Sequence, residues 1–277
     1  MHSDDWYERQ YNTSFSVPNE DGILAQWIER AANTRARFPF LSDISYGPHQ
    51  RELLDFYRAP KPKGTLIYVH GGYWRGLSKL ETSWVADDFV ERGISVALIN
   101  YPLCPEVSLQ DIRGSITRAF VHIYKHVLNA AERENIVVTG HSAGGHLAAF
   151  HLTVDWTQFG LAQNPFSGVI PISGVFDVAP LMHTSMNDDI RITAKTALSL
   201  NLMASEVKSH APLVFVVGGD EPSEFHRQSA DLAKAWGGLR PKVISLPSTN
   251  HFTVVDALAD PAGEINKIAC SMLSSFR

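Results

Sequence analysis

Ser142 stands in Gly140-His141-Ser142-Ala143-Gly144-Gly145, with a glycine two positions to either side. A serine hydroxyl is a poor nucleophile near neutral pH and attacks only when a base takes its proton. The flanking glycines permit a turn so tight that side chains there would clash, and the strained serine is pushed outward to meet a base and a substrate. His251, in Asn250-His251-Phe252, is the candidate base. Asp220, which closes Gly218-Gly219-Asp220, is the candidate acid that would hold the imidazole in one tautomer. A carbonyl attacked by serine becomes an oxyanion and needs waiting donors. The backbone N–H groups of Gly72, Tyr73 and Ala143 are the candidates, because Gly71-Gly72 leaves bare main chain facing the site. The chemistry these groups suit is acyl transfer through a serine ester, and serine, acid, histidine is one established order for such a triad along a chain.

Other assignments compete. Glu221, Glu224 and Asp177 are further acids near predicted strand ends, with Glu221 next after Asp220. His70 and His141 read as braces for their own turns, and His146 and His151 as packing or surface residues of a helix. His122 and His126 have the i, i+4 spacing of a metal pair but lack the Glu of H-E-x-x-H, so no metal or cofactor is expected. Trp74, Phe176 and Phe252 are candidate pocket walls, set against the usual role of aromatics in packing.

The elements that must position these residues follow from periodicity. Thr65–Val69, Ser95–Asn100, Ile136–Thr139, Gly168–Ile172, Leu213–Val217 and Lys242–Leu246 read as strands, mostly continuous apolar runs of the kind buried on both faces of a sheet. Pro171 is an irregularity in one of them. Helical patterns at Trp84–Arg92, Leu109–Leu128, the stretch after Ser142, Glu224–Trp236 and Gly263–Phe276 alternate with them. That alternation predicts an α/β protein with a mostly parallel central sheet and helices on both faces. Ile44–Tyr46 and Leu53–Tyr57 form an edge hairpin across Gly47-Pro48. Residues 1–40 read as a helical N-terminal extension. Residues 175–210, with no clear strand, read as a small cap inserted into one 277-residue domain.

Composition narrows the class. Of 277 residues 44% are hydrophobic and 19% charged, so the chain can bury a sizeable core. A formal net charge of -5 without long basic runs gives nucleic-acid binding no electrostatic footing. Two cysteines far apart, Cys104 and Cys270, make no disulfide framework and point to a reducing compartment. The polar start, Met1-His2-Ser3-Asp4-Asp5, lacks the pattern of a signal peptide, and no stretch is long and apolar enough to span a membrane. The expected setting is cytoplasmic, with a small-molecule partner, no membrane and no nucleic acid; a homodimer stays compatible with the sequence.

His70-Gly71-Gly72-Tyr73-Trp74, Gly140-His141-Ser142-Ala143-Gly144-Gly145, Gly219-Asp220 through Glu224-Phe225-His226-Arg227-Gln228-Ser229 and Asn250-His251-Phe252 resemble the kynurenine formamidase (arylformamidase) branch of the α/β-hydrolases. Tyr7-Glu8-Arg9-Gln10-Tyr11 is similar as well. The resemblance spans nearly the whole chain and is weakest over 175–210. It implies an α/β-hydrolase fold, the triad Ser142, Asp220 and His251, and oxyanion donors at Gly72, Tyr73 and Ala143. It also implies hydrolysis of N-formylkynurenine to kynurenine and formate in tryptophan breakdown. Tyr73 stands where the related lipase-like branch has a third glycine. Carboxylesterase activity on short esters, and a non-catalytic binding protein on the same fold, are the alternatives.

Overall fold

The apolar runs assemble into one sheet because each can bury both of its faces. The computed structural model describes residues 2–274. Its strands are β1 Leu41–Ser45, β2 Leu53–Tyr57, β3 Thr65–Val69, β4 Ser95–Ile99, β5 Ile136–His141, β6 Gly168–Ile172, β7 Val214–Gly218 and β8 Lys242–Leu246. They lie in the order β1-β2-β4-β3-β5-β6-β7-β8. β2 runs antiparallel to β1 and β4, and every later pairing is parallel. The edge hairpin and the mostly parallel sheet are therefore as the sequence predicts.

Alternation along the strands divides the core. Leu66 and Tyr68 face one layer with Trp84, Phe89 and Ile265. Ile67 and Val69 face the other with Ile116, Phe120 and Leu147. Pro171 leaves its mark between β6 and β7. Val169 donates to Pro212 (2.9 Å) and Ser173 to Val216 (2.7 Å), whereas Pro171, between them, has no N–H to give.

The helices are α1 Asp4–Tyr11, α2 Glu20–Arg37, α3 Asp87–Glu91, α4 Leu109–His122, α5 Ala130–Glu134, α6 Ala143–Phe150, α7 Asn187–Ile190, α8 Ala194–Leu200, α9 Ser223–Ala235, α10 Asp256–Ala259 and α11 Glu264–Ser274. The helix predicted from Leu109 to Leu128 ends as α4 and passes into a π turn over Ile123–Val127. Of the predicted closing helix, Phe276 lies outside the described residues. The N-terminal segment folds as α1 and α2, and between β6 and β7 the chain forms only short helical pieces. No helix among the described residues is long and apolar enough to cross a membrane.

Candidate active site

Strand β5 delivers Ser142 to the carboxyl end of the sheet, and α6 starts one residue later. Ser142 has φ 57° and ψ -117°, a strained conformation for a residue with a side chain. It persists because its surroundings fix it. The Ser142 N–H donates to Ile172 (2.8 Å), and its carbonyl accepts from His146 (3.1 Å). The glycines are a steric necessity here. A Cβ on Gly140 would lie 2.3 Å from the Gly144 carbonyl oxygen, and one on Gly144 would lie 2.0 Å from that of Val69.

The loop after β3 is laid against this turn. A Cβ on Gly71 would sit 2.9 Å from the His141 carbonyl and 3.2 Å from the Ser142 Cβ. Gly72, Tyr73 and Trp74 follow with φ of 95°, 46° and 55°, three successive left-handed residues. Among the described residues no acceptor takes the N–H of Gly72, Tyr73 or Ala143. Free N–H groups in such a loop and at the first position of a helix are ready to receive an anion. His70 braces the loop. Its ring stacks on Tyr101 at 4.2 Å, and its Nδ1 donates to the Gly71 carbonyl at 2.8 Å. Burial pushes its pKa down to about 3. The Tyr101 hydroxyl is within hydrogen-bond reach of the carbonyls of His70 (2.9 Å) and Gly71 (3.1 Å).

The acid is a correction. Asp220 is exposed at the apex of the turn after β7, whereas Glu221 is buried and faces the sheet. The Glu221 N–H returns to the Gly218 carbonyl (3.2 Å), and the Asp220 N–H is drawn to Thr249 (3.0 Å). That reversal points the first side chain outward and the second back over the strand end. Glu221 Oε2 lies 2.6 Å from His251 Nδ1. Its Oε1 accepts from the Ser173 hydroxyl (2.5 Å) and the Gly218 N–H (2.6 Å). A carboxylate can only accept, so His251 Nδ1 donates to it, and in the neutral imidazole Nε2 then keeps its lone pair. The other rival acids are engaged elsewhere: Glu224 with Tyr11 and Arg227, and Asp177 in capping Ala179.

His251 is itself fixed. His141 Nε2 donates to its carbonyl at 2.6 Å, and its ring lies between those of His141 (4.7 Å) and Phe225 (4.6 Å). Burial, then the neighbouring His251, holds the His141 pKa well below its ordinary value. Ser142 and His251 line one cavity of about 180 Å³, and no hydrogen bond yet joins them. Such bonds commonly tighten only when substrate arrives.

The cavity walls differ from expectation. Phe252 lines the cavity, but Trp74 and Phe176 do not. Trp74 is turned inward by its positive φ and packs edge-on against His146 at 5.2 Å. Phe176 fills the space beside Gly174 and packs against Phe215 at 5.3 Å. In their place the N-terminal segment supplies Thr13, Glu20 and Leu24. No spacing in the sequence signals this, because these residues lie far along the chain from Ser142 and His251.

That segment also binds the other parts together. Tyr11, at the end of α1, donates to Glu224 (2.5 Å) and accepts from Gln228 (2.8 Å), both on α9. The Tyr73 hydroxyl donates to the Tyr11 carbonyl. One residue thus links the Gly72–Trp74 loop to the helix that follows Glu221. The rings of His122 and His126 are 5.1 Å apart, and no cluster of three or more metal-ligating side chains occurs among the described residues.

Comparison with known proteins agrees with this architecture. Residues 54–232 match the model of the BD-FAE family. The kynurenine formamidase of Danio rerio is 29% identical over 290 residues, covering 98% of this chain and 97% of that one. A solved structure from Silicibacter sp. TM1040, described as a candidate thioesterase, superposes with a TM-score of 0.86 at 29% identity, covering 95% of this chain and 99% of that one. Esterase B of Lactobacillus rhamnosis shares the fold, with a TM-score of 0.67 at 17% identity over 92% of this chain and 97% of that one. The chain belongs to the BD-FAE family and has the α/β-hydrolase fold.

Proposed function

We propose that this BD-FAE family member hydrolyses small amides and esters through an acyl-enzyme on Ser142, with N-formylkynurenine as its natural substrate. The observation that carries the proposal is the buried 2.6 Å contact between His251 Nδ1 and Glu221, which leaves Nε2 unengaged on a residue that lines the same cavity as Ser142. His251 takes the Ser142 proton as Oγ attacks the formyl carbon. The oxyanion is received by the N–H groups of Gly72, Tyr73 and Ala143. The C–N bond then breaks, and His251 returns its proton to the departing aryl amine. Water repeats the cycle on the formyl ester, releasing formate. Glu221 holds the imidazole and stabilises its charged form; this role passes to it from Asp220.

The likeness to a kynurenine formamidase over nearly the full length of both chains supports the substrate. The cavity volume supports a short acyl group, since about 180 Å³ falls below the ~300–1,000 Å³ usual for larger ligands. In this reading the protein works in tryptophan breakdown in the cytoplasm, as one domain in which residues 175–210 form the cap. Arg113 pins that cap by donating to the carbonyls of Ser199 and Leu200.

Carboxylesterase activity is the second reading, favoured by the same small cavity. Comparing kcat/KM for N-formylkynurenine with that for short p-nitrophenyl esters decides between them. A clear preference for the formamide supports the first reading, and ester turnover with an inert formamide replaces it with the second. A non-catalytic binding protein would turn over neither substrate and would take no label from a fluorophosphonate.

A further inference from the structure

Glu20 is the one carboxylate among the residues that line the Ser142 cavity, and no lysine or arginine lines it. The charge therefore has no cationic counterpart inside the site. One of its oxygens, Oε2, accepts from the Ser14 hydroxyl at 2.6 Å. Oε1 has no partner among the described residues, and Glu20 makes no ion pair there. Thr13 lines the same cavity, is only 7% exposed, and its hydroxyl is likewise without a partner. The hydroxyl of a buried threonine and a free oxygen of a partly exposed carboxylate, both on the wall of a substrate cavity, have spare capacity to accept from a donor.

The structural alternative is that Glu20 merely complements the positive end of α2, whose first turn it occupies. Asp21 occupies that turn as well and could serve the dipole. The dipole does not explain why an acid also lines the chamber that holds Ser142 and His251. The imidazoles on the wall do not neutralise it either. His141 is kept uncharged by burial, and His251 is already paired with Glu221.

We propose that Glu20, with the Thr13 hydroxyl beside it, forms a subsite for a cationic amine on the substrate, selecting esters and amides that carry an ammonium group. The inference rests on reading the Ser142 cavity as the acyl-transfer site. N-formylkynurenine, an amino acid, carries such a group away from its formamide. An ammonium here donates to Glu20 Oε1 and the Thr13 hydroxyl while the acyl carbon meets Ser142. A substrate with an anionic group and no ammonium beside it is repelled at the same place.

The test uses two esters of equal shape, 5-aminopentyl acetate and neutral hexyl acetate, which transfer the same acetyl group. The wild-type protein should favour the cation in kcat/KM by about tenfold, and Glu20→Gln should bring that ratio close to one. Glu20→Asp should keep most of the preference. A purely structural role would lower both substrates equally and leave the ratio unchanged, which would overturn the proposal. Should Glu20→Gln not fold, raising salt from about 20 mM to about 500 mM with the wild-type protein must narrow the ratio. A ratio indifferent to salt then overturns the subsite. N-formylkynurenine run alongside separates the two claims. Loss of cation preference in Glu20→Gln with an inert formamide keeps the subsite and rejects the formamidase reading. A cleaved formamide with an unaltered ratio does the reverse.

Discussion

The turn that carries Ser142 and the turn that carries Glu221 are held by different physics. The serine turn is steric: Gly140, Gly144 and Gly145 are present because backbone from β3, β6 and the turn itself occupies the space where side chains would go. The acid turn is made by hydrogen bonds. Gly218, Thr249 and Ser173 determine which of two adjacent acids faces inward. A steric turn is written in its own residues, whereas a hydrogen-bonded one depends on partners far along the chain.

The largest expected effect tests the acid side. Glu221→Gln should lower kcat by about 10³–10⁴-fold, as an amide presents the wrong partner to the imidazole, while Asp220→Asn should stay within about twofold. Equal losses in steady-state kinetics would dissolve the contrast. On the serine side, Gly144→Ala should cost about 4 kcal/mol or more in denaturant unfolding, or leave no folded protein. Gly238→Ala, whose added Cβ meets nothing within 4 Å, should cost far less.

A third effect comes from acid. Two histidines are buried and neutral: His70, beside the serine turn, is pushed to about 3, and His151, just past the far end of α6, to about 4, from 6.5. The unfolded chain takes up protons below about pH 6.5 that the folded chain refuses, so stability is full above that pH and falls as pH drops towards the folded values. Each such histidine should cost about 2 kcal/mol between about pH 6.5 and pH 5, measured by urea unfolding. His151→Gln should make that slope shallower, and an unchanged slope would place the linkage elsewhere. The smallest effect concerns the N-terminal bridge. Tyr11→Phe removes the hydroxyl shared by Glu224 and Gln228 and should cost about 1 kcal/mol, read as a lower urea midpoint.

The same contrast explains what the sequence discloses. Ser142, the glycines and the parallel strands are legible because local identity determines them. Asp220 is the natural choice beside β7, and the turn reverses it through contacts 29 or more residues away along the chain: its N–H reaches Thr249, and Glu221 accepts from Ser173 48 residues off. Trp74 was expected in the pocket wall, yet its left-handed backbone sends it into the core. Thr13 and Glu20 carry no signal in the sequence, because helical periodicity identifies α2 but not the chamber its first turn closes.

Mass spectrometry of the intact protein after treatment with a fluorophosphonate, followed by peptide mapping, tests the central claim most directly. The account predicts one adduct, on Ser142, lost together with all turnover in a folded Ser142→Ala variant. An adduct on another residue, or ester and formamide turnover that survives in Ser142→Ala, would contradict it.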